Sequence, residues 1–236
     1  MDIFSKLREE KSIKLKGGLY HQTQIKMCYN SNRIEGSRLS EEQTRYIFET
    51  NTLDVPEGEV ANVDDIIETL NHFTCFDYML DIADKPLSET IIKEFHKILK
   101  SGTSDSKKEW FRVGGYKSKP NMAGDDETAA PQNVEKEISS LIESYTSENI
   151  VSLENIVEFH YRFEKIHPFQ DGNGRVGRMI MFKECLKYAV MPFIIEENHK
   201  LFYYKGLKEF AVSKERLLDV CRSAQDNYEK LARYFE

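Results

Sequence analysis

The stretch from Arg175 to about Ala189 limits the fold more than any other. Val176, Met179, Ile180, Phe182, Cys185 and Leu186 make it apolar almost all round, and Pro192 stops it. A helix of that kind must be covered on every side, so the rest of the chain has to supply a bundle around it. The partners are visible. Val63, Ile66, Ile67, Leu70 and Phe73 fall on one helical face, and Ile91, Ile92, Phe95 and Leu99 repeat the pattern after Pro86. Leu153, Ile156, Val157, His160 and Phe163 line one side of a helix over Ser152 to Ile166. Helical patterning also covers about Asn133 to Tyr145, Leu201 to Val212 and Lys214 to Tyr234. Near the N-terminus a short helix is expected from about Gln22 to Ile34, closed by Gly36. Ser40 with Gln43 then reads as a capping box that opens a helix running to about Glu49. The fold class is all-α, and 236 residues favour one domain with an N-terminal extension.

Between Ser101 and Gln132 the helical period is lost among Gly, Ser, Asp and Pro, and Trp110-Phe111-Arg112-Val113 is the run suited to an extended piece. This segment reads as a hairpin-like flap. Composition then removes several function classes. Acidic residues exceed basic ones by 40 to 33, giving a formal charge of -7, and Lys and Arg are interspersed with Asp and Glu. A nucleic-acid partner is therefore not expected, because such binding needs a basic surface to displace counterions. The opening MDIFSKLREEKSIKLK lacks a signal-peptide pattern, and no apolar run approaches the roughly 20 residues that span a bilayer. The expectation is a cytoplasmic protein with no membrane partner. Cys28, Cys75, Cys185 and Cys221 lie far apart without C-x-x-C or zinc spacing, which fits reduced, buried thiols.

The chemistry concentrates in His167-Pro168-Phe169-Gln170-Asp171-Gly172-Asn173-Gly174-Arg175-Val176-Gly177-Arg178, a polar turn between an amphipathic helix and the buried one. Gly172 and Gly174 let the backbone approach a ligand closely, and the free N–H groups opening the next helix favour an anion. Arg175 and Arg178 bring guanidinium groups that grip phosphate oxygens in pairs. Asp171 offers a hard oxygen of the kind Mg²⁺ shares with a nucleotide. His167 has the one side chain nearby able to take a proton at neutral pH. Taken singly, each piece is ordinary, since His before Pro, Asp-Gly-Asn-Gly and paired arginines occur in many turns and solvated faces. Set against an otherwise apolar helix they are not, because buried arginines require an anionic partner. Gly172, Gly174 and Gly177 also satisfy G-x-G-x-x-G, but the dinucleotide reading needs a strand upstream and a helix stands there instead. Neither a P-loop nor a kinase glycine loop is present.

The same run resembles the Fic signature H-x-F-x-(D/E)-G-N-G-R-x-x-R at every fixed position. The resemblance extends over about residues 40 to 212, through the irregular flap, the helix before the motif and Tyr203-Tyr204 downstream. It implies a Fic-type helical bundle with a short β-hairpin flap and an enzyme transferring AMP from ATP to a protein hydroxyl. By the resemblance, His167 is the base that deprotonates a Ser, Thr or Tyr hydroxyl, which attacks the α-phosphorus of ATP in line and releases pyrophosphate. Asp171 would hold Mg²⁺, Asn173 the α-phosphate, Gly172, Gly174 and Arg175 the phosphate chain, and Arg178 the γ-phosphate. Phe169 would anchor the loop, and Tyr203 and Tyr204 would lie near the adenosine. The intact Asp-Gly-Asn-Gly favours AMP transfer over phosphorylation. The flap departs from the family pattern, with Gly114-Gly115-Tyr116-Lys117 where a short apolar strand is usual.

Ser31-Asn32-Arg33-Ile34-Glu35-Gly36 resembles the inhibitory pattern (S/T)-x-x-x-E-(G/N) of Fic proteins. Ser31 and Glu35 share one helix face, and Glu35 is expected to pair with Arg178. Residues 1–38 are thus read as an extension bearing the inhibitory helix, and residues 39–236 as the Fic core with its C-terminal helices. The implied partner is a protein with a hydroxyl side chain, self-modification and a homodimer being compatible with it. A stretch such as Phe111 to Tyr116, if extended, would pair with the target by strand addition. Three alternatives stand beside this reading. The site would remove AMP, with Glu35 as base for water, or transfer another phosphate-linked group, or the chain would be a nucleotide-binding regulatory module without turnover.

Overall fold

The structure is a computed structural model describing residues 2–124 and 126–236. In chain order it builds α1 (Ile3–Ser12), α2 (Leu19–Ile34), α3 (Glu41–Thr50), α4 (Val63–Asp81) and α5 (Glu89–Lys100), then the hairpin strands β1 (Met122–Ala123) and β2 (Asp126–Glu127). After the hairpin come α6 (Val134–Thr146), α7 (Leu153–Ile166), α8 (Asn173–Lys187), α9 (Lys200–Glu209) and α10 (Glu215–Tyr234). Helix α8 is the axis, packed by α2, α4, α5 and α7, with Val176, Met179, Phe182 and Cys185 sealed from solvent. Phe182 meets Phe76 of α4 on one side and Tyr228 of α10 on the other, so a single side chain ties three layers together.

Local chemistry sets the helix starts. The Ser40 hydroxyl accepts the Gln43 N–H and the Gln43 side chain returns to the Ser40 N–H, completing the expected capping box. Ser152 and Asn155 build the same box at the head of α7. Helix α8 begins at Asn173, ahead of the expected Arg175, because Gly172 takes a left-handed conformation (φ +83°) and serves as its N-cap.

Helix α1 was not anticipated from the sequence. Asp2 caps it, Leu7 is its buried apolar contact, and the Glu10 carboxylate accepts the Tyr20 N–H to join it to α2. Helix α2 is itself a core element, with Leu19, Ile25, Met27, Cys28 and Ile34 buried against its neighbours.

The flap falls within residues 101–132 as expected, but its strands do not lie where the sequence suggested. Trp110 to Val113 is not extended: the Phe111 N–H closes a turn onto Lys108 O, and the ring is buried against His96. A second turn joins the Gly115 N–H to Arg112 O. Phe111 to Tyr116 therefore offers no strand edge, because an aromatic ring found a core and a glycine pair bent the chain. The hairpin is β1–β2, antiparallel, with Met122 opposite Glu127 and Ala123 opposite Asp126. All four cysteines are free and buried. Among the described residues no helix is long and apolar enough to cross a membrane.

Candidate active site

Helix α7 ends at His167, whose N–H donates to Phe163 O while its backbone turns left-handed (φ 50°, ψ 62°). That conformation costs a non-glycine residue about 1 kcal/mol or more and needs outside support. Part of the support is Phe169, fully buried and stacked on His96 with ring centroids 4.0 Å apart, which anchors the loop as expected. Asn173 supplies more: its Oδ1 accepts the Phe169 N–H at 2.8 Å and its Nδ2 donates to Phe169 O at 2.9 Å. Both polar atoms of the Asn173 side chain are therefore engaged in closing the loop. What remains is the backbone. The N–H groups of Asn173, Gly174 and Arg175 have no acceptor inside α8, and they form an anion-seeking end on the helix.

The two arginines divide. Arg175, 3% exposed, is ion-paired with Glu68 of α4 and with Asp171 at 3.3 Å. Lys100 of α5 bridges the same two carboxylates at 2.6 Å each. Arg175 therefore belongs to a charge network under the loop. Burial alone would raise the Asp171 carboxyl, but Arg175 and Lys100 outweigh it and hold it down at about 2, so it stays anionic. Both cations take Oδ2. Oδ1 is left as a hard donor, and one carboxylate beside an anion site fits Mg²⁺ carried largely by substrate phosphates. Among the described residues there is no cluster of His, Cys, Asp and Glu that would cage a metal alone.

Arg178, also 3% exposed, faces the N-terminal segment. Its Nε donates to Ser31 Oγ at 3.1 Å, and one terminal nitrogen donates to Ser31 O at 2.9 Å and to Glu35 Oε1 at 2.7 Å. The other terminal nitrogen is buried without a partner. Burial works against this cation, yet Glu35 more than compensates and its pKa is raised. Gly174 lies under the pair, and a Cβ there would collide with the Glu35 carboxylate.

A cavity of ≈ 550 Å³ opens over this constellation, lined by His167, Gly174, Arg178, Glu35, Tyr204 and the hairpin residues Met122 to Gly124 and Asp126, among others. Asp171, Gly172, Asn173, Arg175 and Ser31 are not among its lining residues. Tyr203 reaches the cavity but is 1% exposed; its hydroxyl bonds His160 Nε2 at 2.6 Å, and its ring lies 6.0 Å from the Arg178 guanidinium carbon. Tyr204 is the accessible member of the pair and donates to Ile34 O at 3.3 Å. Burial lowers the pKa of His167, and the Lys117 ammonium lowers it further against the pull of the Glu164 carbonyl, so the imidazole is neutral and ready to accept a proton near pH 7.

Sequence reasoning missed Glu164. It lines the cavity one turn before His167, with Oε1 buried and unpartnered and Oε2 3.8 Å from His167 Nδ1. Burial and the neighbouring Glu35 push its carboxyl up to about 8, with Arg178 opposing. The signal was present: Glu164 is four residues from His160 and three from His167, on the face that α7 turns inward. Glu68, Lys100 and Lys117 were also missed.

Residues 86–185 match the Fic/DOC family. Among curated relatives, the protein adenylyltransferase Fic of Nematostella vectensis is 27% identical over 191 residues, covering 77% of this chain and 42% of that protein. The protein adenylyltransferase fic-1 of Caenorhabditis elegans is 23% identical over 195 residues, covering 80% and 37%. The chain thus spans less than half the length of these relatives. A Fic domain containing signaling protein from Bacteroides thetaiotaomicron superposes with a TM-score of 0.77 at 22% identity, covering 98% of this chain and 94% of that one. A Fic family protein from Desulfovibrio desulfuricans G20 gives 0.71 at 22% identity, covering 96% and 72%. These two share the fold.

Proposed function

Because residues 86–185 form a Fic/DOC family domain, we propose that this chain is a protein adenylyltransferase that moves AMP from ATP to a Ser, Thr or Tyr hydroxyl of a protein, restrained by its own α2. The observation carrying this reading is that a neutral imidazole, His167, and a guanidinium, Arg178, face one cavity beside the unpaired N–H groups of α8. His167 takes the proton of the target hydroxyl. The freed oxygen bonds to the α-phosphorus as the bond to pyrophosphate breaks, with the leaving group opposite. The N-terminus of α8 neutralises charge on the phosphates, and Arg178 receives the γ-phosphate once Glu35 gives it up. Asp171 would hold Mg²⁺ against the phosphates, where the ion supplies further charge neutralisation. Residues 1–38 act as the regulatory extension to the core at 39–236. With Glu35 seated on Arg178, ATP binds without its γ-phosphate in register and transfer is slow.

Incubation of the purified chain with ATP labelled on the α-phosphate, followed by mapping of adducts on itself and on added proteins, tests the proposal. Glu35→Gly is expected to raise incorporation at least tenfold, the scale of one charge-assisted hydrogen bond, and His167→Ala to abolish it. Equal incorporation in His167→Ala and the parent chain would end the reading. The engagement of Glu35 through Oε1 alone favours a second reading, in which the carboxylate directs water to remove AMP from a modified protein. Release of AMP from a pre-labelled target would distinguish the two.

A further inference from the structure

Lys117 is 3% exposed, and its ammonium is bonded only to neutral acceptors: Asn121 Oδ1 at 2.7 Å, Thr128 Oγ1 at 2.7 Å and Ile166 O at 3.2 Å. Its backbone N–H donates to Pro168 O at 2.9 Å. Ile166 and Pro168 are the residues on either side of His167, so one residue holds both carbonyls that flank the left-handed turn. Asn121 and Thr128 are the residues on either side of the β1–β2 hairpin, and each is bonded to the other through Thr128 Oγ1 and Asn121 Oδ1. Asn121 Nδ2 continues the weave to Phe169 O. Burial brings the Lys117 pKa down to about 8, with Glu137 opposing, yet the group remains a cation at neutral pH. A buried ammonium without a carboxylate is costly to keep, and something must justify holding it there.

We propose that Lys117 is a positioning residue, clamping the backbone of His167 to the root of the β1–β2 hairpin so that one side chain aligns the base and the cavity wall facing it. The inference rests on His167 being the base of the proposed transfer. Misplacing a reacting group by about 1 Å costs roughly 10²-fold in rate, and loss of the ammonium releases the Ile166 carbonyl beside a strained turn and unties that turn from Asn121 and Thr128, while the backbone bond to Pro168 O is kept.

The test compares the full chain with Lys117→Met and Lys117→Arg, all carrying Glu35→Gly. Lys117→Met is expected to lower kcat by roughly 10²-fold while KM for ATP is unchanged, because Arg178 and the N-terminus of α8 are untouched. Lys117→Arg restores turnover. In the nucleotide-free protein, NMR titration of the His167 imidazole should show its pKa rising toward the ordinary value in Lys117→Met, with the Glu164 carboxyl and the Asp171 carboxylate still facing it. Hairpin amides from Met122 to Glu127 should exchange faster. Unchanged kcat together with an unchanged titration would refute the clamp. Should Lys117→Met fail to fold, Thr128→Val removes one acceptor and keeps the charge; unaltered hairpin exchange and turnover in that variant would refute it equally. The titration and the exchange require no nucleotide, so they can fail while His167→Ala still abolishes transfer, and the reverse.

Discussion

Glu164 and Glu35 reach over neighbouring glycines of α8: a Cβ at Gly177 would press the Glu164 carboxyl, and one at Gly174 the Glu35 carboxyl. Two carboxyl groups close to one guanidinium cannot both ionise freely, and Glu164 is the one that keeps its proton near pH 7. The sign of the linked stability follows. Folded Glu164 binds a proton up to about pH 8, whereas the unfolded chain releases it near 4.3, so the folded state loses stability as pH rises between those values. Glu164→Gln should melt at the parent temperature near pH 4, and its advantage should grow steadily to about pH 8 and then level off. A constant difference across that range, in calorimetry at matched ionic strength, would contradict the assignment. The residues of the proposed site were legible at this scale because His167, Asp171, Arg178 and Glu35 announce themselves by type and spacing. The partners of Arg175 were not, because Glu68 meets it, and Lys100 joins it on the shared carboxylates, only through the packing of α4 and α5 on α8.

Helix α7 delivers His160, Glu164 and His167 to the site, so its ends decide where the His167 imidazole sits. Its N-terminus rests on the reciprocal Ser152–Asn155 box, the C-terminus on the left-handed turn. Ser152→Ala removes the cap and should cost about 1 kcal/mol, read as a lower denaturation midpoint with unchanged m-value. Turnover of the Glu35→Gly form should be retained, since the loop end is held independently. Long elements such as α4, α7 and α10 could be read from periodicity, and the bounds of α7 and α10 agree with it closely, whereas α4 runs on past Phe73 to Asp81. Helix α1 could not, because Leu7 is its single fully buried residue type of apolar character and the rest is polar. The hairpin could not either, since strands of two residues are too short to show a period of two.

At the scale of the whole molecule, the N-terminal segment and the residues 86–185 that match the Fic/DOC family are one packed body. Leu19, Met27 and Ile34 of α2 share a cluster of buried side chains with Phe182 of α8 and Phe76 of α4. Two ways of releasing Arg178 should therefore differ. Glu35→Gly should melt near the parent temperature and transfer AMP faster. Deletion of residues 1–38 strips a core layer and should yield a chain that melts far lower or aggregates, as expected when several large apolar side chains lose their cover. A truncated chain as stable as the parent would show that α2 is a detachable appendage.

Glu35 is the C-cap residue of α2, one place beyond the hydrogen-bonded ladder, and Gly36 follows with φ +102° and open space around its Cα. The proposed switch can then turn over without translating a helix. Rotation about the bonds of a single side chain, at a spot the bundle leaves unbraced, suffices to surrender the guanidinium, and such rotations take nanoseconds rather than the microseconds of a domain hinge.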